Sequence, residues 1–155
     1  MKLKIASLIA VAAILLMATP LKAQTLQEVT AEGNKVYVEI VDEFAGTDNA
    51  FPDDERQDVT NYVAEAGGWD LVSTPEEADF IFRVDVKKKV VFFSPRTWLT
   101  PSIRLKDGTV LWQSKTYKAD ADIDNGFRAT NAALAKMLKN GFGKDLFPKI
   151  GRSDK

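Results

Sequence analysis

The chain has 155 residues, with 21 Lys+Arg against 22 Asp+Glu and neither His nor Cys. Imidazole acid–base catalysis, thiol nucleophiles, thiolate or imidazole zinc sites and disulfide staples are therefore excluded. The hydrophobic share of 45% and charged share of 28% are those of an ordinary globular protein.

Lys2 and Lys4 precede an uncharged apolar run of fourteen residues, Ile5 to Ala18, followed by Pro20 and by Ala23 before Gln24. This layout predicts a secretory signal peptide over 1–23 with cleavage ahead of Gln24. A membrane-spanning helix wants about 20 apolar residues, and the run is too short for that. The expected product is a periplasmic or secreted protein that does not span the membrane. Without residues 1–23 the chain loses three lysines, leaving 132 residues with 18 basic and 22 acidic groups, net −4. That charge exerts no global pull toward nucleic acid or anionic lipid.

Residues 24–34 are polar apart from Leu26 and Val29 and read as a lead-in, partly disordered, to a single domain over 35–150. Lys35 to Asp42 alternates as a half-buried strand. A loop over 43–51 leads to Pro52-Asp53-Asp54-Glu55, a helix start in which proline and carboxylates suit the dipole. Val59, Tyr62, Val63 and Ala66 form the apolar stripe of a helix over 53–66, stopped by Gly67-Gly68. Trp69 to Val72 reads as a short strand, and Ser73 to Glu77 as a one-turn connector with Ser73 as cap.

From Asp79 onward, Phe80, Phe82, Val84 and Val86 alternate against Arg83, Asp85 and Lys87. The stretch to Phe93 reads as one long strand with a bulge at the lysines, since no turn residue interrupts it. Asp107-Gly108 predicts a hairpin with a two-residue loop, pairing Lys106 with Thr109, Leu105 with Val110 and Ile103 with Trp112. Phe127, Thr130, Leu134, Met137 and Leu138 give the stripe of a second helix, about 126–139. Asn140-Gly141 is expected to end it, leaving an apolar tail of Phe142, Leu146, Phe147 and Ile150. The order β-α-β-β-β-β-α implies an α+β fold, a mostly antiparallel sheet of about five strands with both helices on one face.

The chemistry-bearing motifs are few. Asp120, Asp122 and Asp124 open like a calcium loop, but Asn125 and Asn131 stand where the template needs Gly and Glu. An acidic loop feeding a helix N-terminus is the stronger reading, so no metal and no cofactor are expected. Lys87-Lys88-Lys89 reads as a solvated stretch that blocks edge pairing rather than as an anion site. Glu76, Glu77 and Asp79 lie beside a turn, where solvated capping competes with carboxylate catalysis. Trp112 belongs to the core by the hairpin register. Pro95 and Pro101 bracket Arg96 and Trp98 in what reads as a loop or ragged edge. Adjacent Phe92 and Phe93 point to opposite sides of a strand, so Phe93, Arg96 and Trp98 form a candidate partner-binding cluster. The competing reading has the second helix or the tail covering these rings.

The segment AGGWDLVSTPEEADFIFRVDV, with Ala78-Asp79-Phe80 opening a strand, resembles small envelope domains of Gram-negative bacteria. Gly108-Thr109-Val110-Leu111-Trp112 leading into the final helix, and the closing Asp145-Leu146-Phe147-Pro148, resemble them too. The family is that of the TolB amino-terminal domain, the CsgG type and related exported domains. The resemblance spans Ala64 to Pro148 and implies a compartment and an accessory or binding role, with no catalytic residues to carry over. Many such proteins are lipid-anchored through a Cys, which this chain lacks. The expectation is therefore a non-catalytic envelope protein whose partner is a protein or another envelope component and not nucleic acid. The alternative is a small carboxylate-dependent hydrolase or a secreted enzyme inhibitor.

Overall fold

The computed structural model describes residues 24–48, 50–91, 94–121 and 128–153. The signal-peptide segment, Phe93 and Asp122 to Phe127 lie outside them. The elements are α1 (Leu26–Val29), β1 (Lys35–Asp42), α2 (Asp53–Gly67), β2 (Asp70–Leu71), β3 (Phe80–Val91), β4 (Ser94–Arg104), β5 (Val110–Gln113) and β6 (Tyr117–Asp120). They are followed by α3 (Ala129–Lys136), wide π-type turns over Met137–Leu146 and α4 (Phe147–Lys149).

The fold is α+β, as the element order implies. The sheet has six strands in the order β2-β1-β3-β4-β5, with β6 also paired to β4. β1 runs parallel to both neighbours, β2 and β3, while β4 is antiparallel to β3, β5 and β6. The parallel pair β1–β2 needs a crossover, and α2 supplies it. Pro52 and three first-turn carboxylates start α2, and Gly68 ends it in the left-handed region at φ 61°.

All helices among the described residues share one face of the sheet. Val36, Phe80, Phe82, Val84, Leu99 and Ile103 form a single core with Val59, Val63, Leu134, Met137, Phe142 and Leu146. The alternation read from the strands is therefore the alternation of burial. Tyr62, included in the α2 stripe, is half exposed instead. Trp69 anchors one end, its ring edge-on to Phe80 and its Nε1 donating to the Thr30 carbonyl at 3.0 Å. Trp112 is buried as expected, with Nε1 donating to Asp145 Oδ2 at 3.0 Å.

Five local expectations need correction. Residues 25–30 are not a loose lead-in: Thr25 and Glu28 close a capping box around α1, and Val29 and Thr30 are buried. β3 has no bulge at the lysines, because its register with β4 runs unbroken from Ile81↔Arg104 to Val91↔Ser94. The stretch around Pro95 and Pro101 is a strand in the middle of the sheet, not a ragged edge. The carbonyls of Pro101 and Pro95 accept from Ser114 and Ala121, so both ring nitrogens face the β5/β6 side. There the partner is interrupted between β5 and β6, or has just ended, and the missing N–H groups cost the β3 ladder nothing.

The hairpin departs twice by one residue. Gly108 (φ 90°) closes a three-residue loop over 106–108 in which Leu105 bonds Thr109. A register shift between Ile103 and Arg104 then restores the pairing of Ile103 with Trp112. The two offsets cancel at the core, but Val110 meets Arg104 rather than Leu105 and is exposed. Finally, Asn140-Gly141 does not stop the last helix, which continues to Leu146. Gly141 is there because a Cβ would sit 3.2 Å from the Tyr117 ring, so the glycine serves close packing.

Candidate functional site

With every described helix on one face, no described element covers the other face of the sheet. Its side chains are the residues that alternate with the core. Across β3, β4 and β6 they fall in rows: Lys87, Trp98 and Lys118 in one, and Lys89, Arg96 and Asp120 in the next. Asp85 and Thr100 form a third row, and the Thr100 and Thr116 hydroxyls lie 2.7 Å apart. Trp98 is half-buried at the centre, flanked on both sides by lysine.

A groove of about 480 Å³ runs over this surface, lined by Glu43, Phe44, Asp85, Lys87, Lys89, Trp98, Thr100 and Thr116. Phe44 and Glu43 come from the loop after β1. That loop is held by the Asp42 carboxylate, whose side chain is 1% exposed. It accepts from the Phe44 N–H at 2.9 Å, the Phe51 N–H at 2.6 Å and Arg56 Nη2 at 3.2 Å. One buried acid thus fixes one wall of the groove.

The charges are largely organised in pairs. Lys87 Nζ lies 2.7 Å from Glu43. Arg96 grips Asp120 through Nε and through Nη2 at 3.0 Å, and its guanidinium carbon lies 5.8 Å from the centre of the Trp98 ring. The hydrogen bond from Arg96 holds the Asp120 carboxyl below its ordinary range and raises Arg96 in turn. Arg83 is shared by Asp85 at 2.8 Å and Glu39 at 3.6 Å.

The candidate residues thus fare differently. Arg96 and Trp98 are brought together on the open face, and the second helix and the tail lie on the opposite side of the sheet from them. Phe93 lies outside the described residues. Asp120, first carboxylate of the acidic loop, is held by Arg96, and no group of three or more potential metal ligands occurs among the described residues. The tri-lysine is split between faces: Lys87 and Lys89 point outward, while Lys88 reaches Glu55 of α2 at 3.2 Å. β1 ends opposite Val86, so beyond it β4 is the one bordering strand of β3 among the described residues. Asp79 is used structurally, its carboxylate accepting the Lys35 N–H at 2.8 Å, and Glu76 and Glu77 are exposed on the turn.

Sequence reading missed Phe44, Thr100, Thr116 and Lys118 as members of this surface. The signal for Thr100 and Lys118 was strand parity, since residues outward from the core on paired strands must share a face. It became usable only with the β3–β4 register, which follows from the two strands being joined by residues 92 and 93 alone.

No family model and no curated protein matches the sequence. Similar solved structures exist. A variant of the PelC dodecamer from Paraburkholderia phytofirmans has a TM-score of 0.50 and 16% identity, covering 70% of this chain and 84% of that one. A minor lipoprotein from Acinetobacter baumannii has a TM-score of 0.44 and 14% identity, covering 69% and 89%. The LpoB C-terminal domain from Salmonella enterica has a TM-score of 0.39 and 15% identity, covering 62% and 94%. The first shows a shared fold. None of the three is a TolB or CsgG protein.

Proposed function

We propose that this chain is an exported, non-catalytic accessory domain of the bacterial cell envelope that binds a partner on the open face of its sheet, centred on Trp98. The observation carrying this reading is Trp98 itself, a half-buried indole on a face that no described element covers, beside Arg96 and a groove. An apolar centre with a charged rim is how protein interfaces are built, and Trp and Arg are the residues enriched at their hot spots. The signal-peptide layout of residues 1–23 supports export, and the resemblance of Ala64 to Pro148 to small envelope domains supports an envelope setting. No helix among the described residues is long and apolar enough to cross a membrane.

The test is capture from an envelope extract by the wild-type protein, by Trp98→Ala and by Tyr62→Ala on the helical face, with mass spectrometry of what is retained. The expected result is retention lost in Trp98→Ala and kept in Tyr62→Ala, with both variants melting near the wild type. Core packing of Trp98 would instead cost about 3–5 kcal/mol on truncation. Unfolding of Trp98→Ala, or retention equal to wild type, overturns the reading.

A further inference from the structure

We infer that the occupant of the Trp98 face is an acidic, extended segment of a partner protein, laid across β3, β4 and β6 with an apolar side chain on the indole. The inference rests on the proposed binding role and adds the chemistry of the partner. Lys87 is paired with Glu43, and Arg96 with Asp120. Lys89 and Lys118, both exposed, have no ion-pair partner within bonding distance among the described residues. They stand on either side of Trp98: Lys118 directly across on β6, and Lys89 two residues beyond its β3 neighbour Lys87. β3 and β6 are two strand spacings apart, about 9.6 Å.

A chain lying over Trp98 can therefore bring carboxylates to both ammonium groups while its central side chain covers the ring. Lys136 reinforces the potential from α3, donating to the Lys118 carbonyl at 3.0 Å. Around Trp98, Lys87, Lys89, Arg96 and Lys118 on the open face, with Lys136 at its β6 edge, stand against Glu43, Asp85 and Asp120 among the described residues, in a chain of net charge −1. The same Lys136 bond occupies an outward carbonyl of β6, which favours docking on the face over strand addition at the edge. Two lysines without a salt bridge among the described residues, beside one aromatic, suit a short acidic peptide. A membrane surface or a polyanion calls for a denser cationic cluster than this.

The experiment titrates the full chain with three probes: a short synthetic peptide alternating Glu and Phe, polygalacturonate, and phosphatidylglycerol vesicles. The half-buried Trp98 reports binding by fluorescence, with Trp98→Phe subtracting the two buried tryptophans. The expected result is saturable binding of the peptide alone, weakened about tenfold or more by Lys89→Glu with Lys118→Glu, and weakened by added salt. Equal affinity of the double variant overturns the inference, as does binding of polygalacturonate or vesicles in place of the peptide. If the double variant still retains the envelope partner while Trp98→Ala does not, the acidic identity fails and the Trp98 site stands. If both variants retain it, both readings fail.

Discussion

Replacing Gly67 by Ala would place a methyl carbon 2.1 Å from Cε3 of Trp69 and 2.3 Å from Cδ2. Carbon–carbon contacts are comfortable only at about 3.5 Å or more, so the indole would have to retreat by over an ångström. It has nowhere to go. Trp69 is 5% exposed, 4.9 Å from Phe80 ring to ring, and bound to the Thr30 carbonyl at 3.0 Å. Overpacking of this kind costs about 1–3 kcal/mol, and stretching a buried hydrogen bond past its range costs about 1–3 more. Ala gains back about 1 kcal/mol of helix propensity over Gly, leaving a net loss of about 3 kcal/mol. For a domain of this size that lowers the melting temperature by about 10 °C. Gly141→Ala provides an internal calibration, because its new methyl would meet the Tyr117 ring at 3.2 Å and need only a small adjustment. Urea unfolding followed by far-UV circular dichroism should rank Gly67→Ala well below Gly141→Ala. A Gly67→Ala protein within about 1 kcal/mol of wild type would refute the Trp69 packing described here.

Asp42→Ala should cost about 3–5 kcal/mol, since it leaves two N–H groups and the Arg56 guanidinium facing a void, and denaturant midpoints measure it. Asp42→Asn should recover part of that loss. Burial opposes ionisation of Asp145, but hydrogen bonds from Lys149 and Trp112 outweigh it and hold the carboxyl below its ordinary range. Its contribution is therefore full at neutral pH and is lost as pH falls below about 4 through the depressed value. Asp145→Asn should be slightly less stable than wild type at pH 7, by under about 1 kcal/mol for so exposed a group, and the gap should close in acid. Thermal melts of the pair from pH 7 to 2.5 test this; a gap that widens in acid would reverse the assigned sign. Thr25→Ala removes the capping box of α1 and should cost about 1 kcal/mol in urea unfolding.

The periodic segments were legible before any coordinates. Alternation in Phe80, Phe82, Val84 and Val86 and the stripe of Val59 and Val63 are local patterns whose buried face is the core. The α+β class followed from them, and so did Trp112 in the core. Turn residues were read less well, because Gly and Pro serve several purposes. Gly141 looks like a helix stop and is a packing glycine under Tyr117. Pro95 and Pro101 look like edge markers and lie in the strand that borders β3, β5 and β6.

The amino-acid sequence by itself determined which chemistries are absent, where the apolar faces run and that Arg96 and Trp98 are of the types used for binding. Only the tertiary structure decided that the two share an open face with Lys87, Lys89 and Lys118, because that depends on register between β3, β4 and β6. Burial patterns specify the parity of a strand, since every second residue must enter the core. They do not specify which residue lies opposite which. In this protein Phe92 and Phe93, two residues with no turn signature, join β3 to β4, and an edge divided at Pro101 places Lys118 beside Trp98.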